Sequence, residues 1–313
     1  MSSFLPVPDP IAFRIFGLEI RWYAIMLVLG IIAGVTVMYL RAPKYGVVPR
    51  DRVIDFVLWV VPIGVVGCRL YYVIFSWDQY KDDLISILYI HKGGIAIHGG
   101  LIFGIATAII LTRKWKQSPL KWLDLVAPGL ALAQSIGRWG NYFNSEAHGG
   151  PTNLPWAIEA DGQLVHPTFL YESIWCFLLF LFLLWFEKSR HKKYDGQLIV
   201  LHLTIYSFER FFVEGLRTDN LMIGGLRQAQ IISVCIFVVG NIVNIVMLNR
   251  VRKNAGAVTE GDAQEKATEV KTEDAAPLQP AETEAAAEEL PLERPAEVTE
   301  ESVLSSAGKE TDE

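Results

Sequence analysis

The sequence predicts an all-α integral membrane protein with seven transmembrane helices, its N-terminus outside and its C-terminus cytoplasmic, followed by a disordered acidic tail. Three observations carry that prediction. Seven stretches between residues 1 and 253 are mostly apolar over roughly 20 residues, the length that crosses the hydrocarbon core of a bilayer. Clusters of Lys and Arg follow every second stretch. The charge also changes sign along the chain. Residues 1–253 hold 24 Lys and Arg against 17 Asp and Glu, a net of +7, and residues 254–313 hold 4 against 17, a net of −13, which together give −6. The first part, residues 1–253, reads as a membrane domain and the second, residues 254–313, as a cytoplasmic tail.

The expected spans are about 18–40, 53–75, 93–112, 122–143, 167–187, 196–214 and 227–249. No cleavable signal peptide is expected, because the start lacks basic residues and the first apolar run is long enough to cross. Span one is followed by Arg41, Lys44, Arg50 and Arg52, and span three by Arg113, Lys114, Lys116 and Lys121. Span five is followed by Lys188, Arg190, Lys192 and Lys193, and span seven by Arg250, Arg252 and Lys253. All four clusters fall on one side, and an excess of Lys and Arg marks the cytoplasmic side. Span four is the weakest, because Pro128 and Gln134–Ser135 interrupt it. Cys68, Cys176 and Cys235 stand singly inside apolar runs and read as packing residues, not as disulfide or metal partners. Residues 254–313 are rich in Ala, Glu, Thr and Pro and contain no aromatic residue. Such a composition buries too little apolar surface to order itself.

The stretch Gly137–Thr152, GRWGNYFNSEAHGGPT, places Arg138, Asn141, Asn144, Glu146 and His148 among glycines at the end of span four. Embedded polar groups are expensive in a membrane and by default mark a functional site. Glycines allow close backbone approach, and arginine offers a flat fork of donors that suits phosphate. Together they suggest a site for an anionic head group. The predicted topology puts the other embedded polar residues at the same depth: Tyr23 on span one, Arg69 and Tyr72 on span two, and His98 on span three. His166, Tyr171 and Glu172 follow at the start of span five. On span six, Tyr206, Arg210, Glu214 and Arg217 are spaced i, i+4, i+8, i+11, which is one helix face. A polar stripe of this kind lines a cavity; the alternative is a structural ion pair between Arg210 and Glu214. Arg138 and Arg210 would repel each other across one cavity unless an anion sat between them.

These motifs resemble the prolipoprotein diacylglyceryl transferase family. Gly137-Arg138-Trp139-Gly140-Asn141-Tyr142-Phe143-Asn144-Ser145-Glu146, followed by Gly149, is similar to the family signature, with Tyr142 where phenylalanine is usual. His98-Gly99-Gly100, Gly67-x-Arg69-Leu70-x-Tyr72, His166-Pro167-x-x-Leu170-Tyr171-Glu172 and the span-six stripe resemble its other elements. The likeness covers about residues 10–250. It implies transfer of a diacylglyceryl group from phosphatidylglycerol to the lipobox cysteine thiol of a secreted prolipoprotein, releasing glycerol phosphate. This is the first step of lipoprotein maturation at the bacterial cell membrane, with the active site toward the outer leaflet. The partners implied are phosphatidylglycerol, prolipoprotein signal peptides and membrane lipid. No metal, soluble cofactor or nucleic acid is implied, and the histidines show no metal-ligand spacing.

In that reaction a thiol attacks a carbon and a phosphate oxygen leaves. A thiol of pKa about 8.5 needs a base or a cationic field to become thiolate. By residue type His98 is the best base, with Glu146 and the lipid phosphate itself as alternatives and a purely structural His98 as a fourth reading. Arg138 and Arg210 would stabilise the leaving phosphate. Tyr23, Asn141 and Glu146 would hold glycerol hydroxyls or orient the arginines. Gly149 and Gly150 would leave room for the head group. Arg69, Tyr206, Glu214, Arg217 and Glu172 complete the expected substrate-binding set, Glu172 more as an orienting group than a reacting one. His148 and His166 read as surface or capping residues, and His91, His191 and His202 carry no argument for chemistry. Trp139 and Trp156 read as interfacial anchors. A transporter would set its polar site near the midplane between repeated halves. A non-catalytic lipid-binding protein would not need His98 beside a glycine-lined cavity.

Overall fold

The computed structural model describes residues 3–47, 49–89, 93–218, 222–223 and 226–273; His91 and residues 274–313 lie outside them. The described residues form seven α-helices and three short antiparallel hairpins. Strands β1 (Ile11–Ile15) and β2 (Leu18–Arg21) precede α1 (Trp22–Arg41) and α2 (Asp51–Phe75). Helices α3 (Ile97–Lys114) and α4 (Pro119–Phe143) follow, then β3 (Ile158–Ala160), β4 (Gln163–Val165), α5 (Thr168–Lys188) and α6 (Gln197–Leu216). Strands β5 (Met222–Ile223) and β6 (Leu226–Arg227) lead into α7 (Gln228–Glu273).

Each helix falls on an expected span. Five of them, α1, α2, α3, α5 and α7, are long and apolar enough to cross a membrane. The first span begins later than expected, because residues 18–21 pair with β1 rather than continuing the helix. In the hairpin β3–β4 the two turn residues, Asp161 and Gly162, have φ of 52° and 73°. Positive φ at both central positions is the two-residue turn that matches strand twist, and Asp-Gly adopts it readily. The helix of α7 does not end with its apolar run. Its backbone continues to Glu273, twenty residues into the stretch for which disorder is expected. The Ala, Glu, Gln and Lys there favour helical backbone without any burial, which a criterion of apolar content does not register. Among the described residues, those up to 259 form one compact unit, and residues 260–273 belong to a second.

Small residues set the helix contacts. A Cβ on Gly34 would stand 2.9 Å from the carbonyl oxygen of Gly129, and one on Gly129 would stand 2.6 Å from that of Gly34. Helices α1 and α4 therefore touch backbone to backbone, the mode open to membrane helices that lack a hydrophobic drive to associate. Between α4 and α5 the interruption at Ser135 becomes a polar clasp. Ser135 Oγ donates to the Ser173 carbonyl at 2.8 Å, and Ser173 Oγ donates to the Ser135 carbonyl at 2.9 Å. Trp139 belongs to this interface too. Its indole N–H donates to Ser173 Oγ at 3.1 Å and its ring meets Phe169, so it packs between helices instead of acting as the expected interfacial anchor.

At the end of the bundle formed by the last turns of α1 and α5 and the first turns of α4 and α6, the basic residues find carboxylates. Arg41 pairs with buried Glu187 at 2.7 Å, and Lys192 pairs with fully buried Asp124 at 3.2 Å. Asp124 also accepts the backbone N–H groups of Gly196, Leu198 and Ile199 at 2.9, 2.8 and 3.2 Å. It caps the first turn of α6 from another helix, satisfying donors that a helix start leaves open. Tyr194, in the connection before α6, donates to Asn244 of α7 at 2.9 Å. Burial, and secondarily the Asp124 charge, push its phenol up to about 12. This anchored end leaves the other end to carry the site.

Candidate active site

Three helices bring the arginines together. Glu172, on the second turn of α5, is only 1% exposed. Its Oε1 accepts from Arg210 Nη1 of α6 at 2.6 Å, and its Oε2 pairs with Arg138 Nε of α4. One carboxylate thus bridges two guanidinium groups. Arg138 Nη2 also donates to Tyr206 Oη at 2.7 Å, and Arg210 Nη2 donates to Glu214 Oε2 at 2.6 Å. Two half-buried cations facing each other without an anion would be unfavourable. The anion between them here is Glu172, and it fixes the orientation of both planar forks. The i, i+4 pair Arg210–Glu214 is present as well, so the stripe on α6 serves both a cavity and an ion pair.

The polar face of α6 opens into a cleft of about 250 Å³ between the first turn of α3 and the first turns of α7. His98, Arg210, Glu214, Arg217, Gln228 and Ile232 line it. His98 is exposed there, with its ring 5.8 Å from that of Tyr71. Arg138 and Tyr206 stand behind the cleft and connect to it through Glu172 and Arg210. Tyr206 in turn stacks on His202, with ring centroids 6.2 Å apart. This arrangement presents cationic donors of fixed direction beside an exposed imidazole. Chemically, it can hold an anion and accept a proton from a neighbouring group.

The remaining expected residues are not in the cleft. Asn141 Nδ2 donates to Glu146 Oε1 at 2.9 Å, beside a space of about 10 Å³ near His148 and the β3–β4 hairpin. Tyr23 packs against α4, where a Cβ on Gly140 would meet its ring at 2.8 Å. His148 and His166 are half-buried, His148 against Asp161 at 3.2 Å and His166 against Tyr171 at 3.4 Å.

The packing surrounds two of the expected substrate contacts, Gly149 and Arg69, with protein. A Cβ on Gly149 would lie 2.7 Å from His166 Cβ and 3.1 Å from the Leu216 carbonyl oxygen, and Gly149 forms a backbone bridge with Arg217. Protein therefore fills the room that was expected for a head group, and Gly149 seats the last turn of α6. Arg69 is 5% exposed, and its guanidinium donates to backbone carbonyls and to Tyr80 rather than facing the cleft.

One residue escaped sequence reasoning, and a second, Glu209, was legible only as an embedded charge suited to a structural ion pair. Gln228 lines the cleft, and its only signal was a polar residue opening an apolar run. Glu209 is 6% exposed, and neither carboxylate oxygen meets a hydrogen-bond partner among the described residues. Its neighbouring charges are Glu172, Arg138 and Arg210, so it belongs to the same buried cluster. Of the three free cysteines, Cys176 is buried, Cys68 half-buried and Cys235 exposed.

The family model described as prolipoprotein diacylglyceryl transferase matches residues 10–246. A protein of Clostridioides difficile (strain 630) is 49% identical over 246 residues, covering 79% of this chain and 98% of that protein. One of Finegoldia magna is 47% identical over 237 residues, covering 76% of this chain and 95% of that protein. One of Clostridium novyi is 44% identical over 247 residues, with coverage of 76% and 95%. All three are named phosphatidylglycerol–prolipoprotein diacylglyceryl transferase.

Proposed function

Because the chain belongs to the prolipoprotein diacylglyceryl transferase family, we propose that it moves the diacylglyceryl group of phosphatidylglycerol onto the lipobox cysteine of prolipoproteins. It is a transferase, and the step is the first in lipoprotein maturation. The observation that carries the site assignment is the cleft that sets His98 opposite Arg210 and Arg217, with Arg138 locked to Arg210 through Glu172.

In this reading all seven helices span the cell membrane, with the N-terminus outside and the anchored end cytoplasmic. The four clusters of Lys and Arg support that orientation. The cleft then opens at the outer leaflet, where secreted prolipoproteins emerge. Residues 1–253 form the catalytic domain, and residues 254–313 form a cytoplasmic tail.

The lipid phosphate enters the cleft beside Arg210 and Arg217. His98 accepts the proton of the cysteine thiol, and the thiolate sulfur attacks the terminal glyceryl carbon. The carbon–sulfur bond forms as the carbon–oxygen bond breaks, and the electron pair goes to the oxygen of the departing glycerol phosphate. That oxygen gains charge, which Arg210 meets directly. Arg138 acts from behind, through the guanidinium–carboxylate–guanidinium bridge, with Tyr206 fixing its plane. Preorganised donors of this kind stabilise a developing anion without reorganising at the moment of reaction. Asn141 and Glu146 pair beside the β3–β4 hairpin, where they can meet the glycerol hydroxyls, and Tyr23 packs against α4 at Gly140.

The test is direct. The purified full chain, phosphatidylglycerol and a synthetic lipobox peptide should yield a peptide heavier by one diacylglyceryl group, together with glycerol phosphate. No mass shift from folded, lipid-binding protein would sink the assignment, as would an equal shift on a peptide whose lipobox cysteine is replaced by serine.

A further inference from the structure

Four residues of α2, Gly67, Cys68, Arg69 and Tyr71, hold the backbone that leads into the first turn of α3. Gly67 meets Gly99 so closely that a Cβ on Gly67 would lie 2.8 Å from the Gly99 carbonyl oxygen. The Cys68 carbonyl accepts the N–H of Ala96, the residue before α3, at 3.0 Å. The ring of Tyr71 flanks that of His98. Between them, Arg69 reaches across the connection. Its Nε donates to the Ile87 carbonyl at 2.8 Å and its Nη2 to that of Ser86 at 2.8 Å. Its Nη1 reaches the carbonyls of Gly93 and Gly94 at 2.8 and 2.7 Å and Tyr80 Oη at 3.1 Å. The Tyr80 ring covers one face of the guanidinium at 5.0 Å.

We propose that Arg69 is a positioning residue for His98, and that it acts by tying residues 86–87 and 93–94 to α2 so that α3 begins in one fixed place. The inference rests on the transferase reading and on the role given there to His98. Arginine suits the task because its planar fork presents five N–H donors in fixed directions, whereas lysine offers a compact point charge. Four carbonyls point at it from two separate parts of the connection. With five acceptors already on the guanidinium and only 5% of the residue exposed, Arg69 faces the connection and not the cleft. Gly94 is part of the same design. Its φ is +75°, and a Cβ there would clash with Arg69 Nη1 and with Tyr80 Oη, the latter at 2.8 Å.

A base acts only within hydrogen-bond reach of its proton, and a displacement of about 1 Å can cost 10²-fold. Loosening the tie should therefore lower turnover without weakening lipid binding. The full chain carrying Arg69→Lys is compared with Tyr80→Phe, which removes a single acceptor and keeps the arginine. Both are assayed with phosphatidylglycerol and the lipobox peptide across pH. The expected result is a fall in kcat of at least about tenfold for Arg69→Lys and about two- to fivefold for Tyr80→Phe, with KM for phosphatidylglycerol within about twofold of wild type. The kcat–pH curve should also move toward the thiol pKa of about 8.5, as it would if His98 no longer reached the thiol. A raised KM with kcat intact would return Arg69 to lipid binding, and a lower kcat with an unmoved pH curve would make the tie purely structural. Either outcome overturns the inference. If Arg69→Lys does not fold, Tyr80→Phe alone decides by the same criteria. A wild-type chain that fails to modify the peptide would overturn the transferase reading instead.

Discussion

Replacing Glu172 with glutamine removes one charge and almost no volume, which makes it the sharpest test of the arginine bridge. The carboxylate accepts from Arg210 Nη1 at 2.6 Å and pairs with Arg138 Nε, at 1% exposure. An amide has one accepting oxygen and one donating NH₂, so one of the two guanidinium groups would face a donor. Removing one partner of a buried ion pair costs about 3–5 kcal/mol. The arginine side chains are 20% and 17% exposed, so water relieves part of this and the lower end applies. At about 2–4 °C per kcal/mol for a unit of this size, the melting temperature should drop by about 6–12 °C. Activity should fall with it, because the two forks lose their common orientation. The decisive arm adds glycerol phosphate. An anion placed between the unneutralised cations replaces the missing charge, so the product should raise the melting temperature of Glu172→Gln more than that of wild type. A ligand at a hundredfold excess over its Kd contributes about 2.7 kcal/mol, enough to read by thermal denaturation in detergent. An unchanged melting temperature, or equal stabilisation of both proteins, would refute the bridge as the element that holds the site.

Arg138→Lys and Arg210→Lys should each lose most activity although charge is kept, by about 10²–10³ in kcat, since a point charge cannot replace a directed fork. Near-normal turnover in folded protein would remove that arginine from the site. His98→Gln should slow transfer by about 10²–10⁴ with phosphatidylglycerol binding largely intact, and raising the pH toward about 8.5 should recover part of the rate as more thiolate forms unaided. An active variant with an unchanged pH profile would move the base to Glu146 or the substrate phosphate. Truncation after Lys253 should leave residues 1–253 able to complement a depletion strain. Failure at normal membrane levels would give residues 254–313 a task of their own.

The sequence by itself determined the helices and the neighbourhood of the site. Apolar runs bounded by basic clusters gave seven stretches, and each coincides with an observed helix to within a few residues, apart from the start of α1 and the extension of α7. Hydropathy and helical spacing are properties of one segment, so they can be read without knowing which segments are neighbours. The stripe Tyr206, Arg210, Glu214 was legible for the same reason, whereas Arg217 follows the last turn of α6 in extended backbone.

Only the tertiary structure decided what each polar group faces. Glu172 was expected to orient a neighbour, yet nothing in its own segment says that it stands between Arg138 and Arg210, which come from two other helices. Arg69 looked like an anion binder from its depth and type, but its partners are carbonyls on a connection folded back over it. Gly149 looked like space for a ligand, and the space is filled by His166 and the end of α6. Glu209 passed as one charge among several until burial left its carboxylate without a hydrogen-bond partner among the described residues. Residue type fixes what a side chain can donate, accept or carry. Which atoms lie within 3 Å of it depends on how helices far apart in sequence pack, and that distance decides whether an arginine grips a phosphate or a loop.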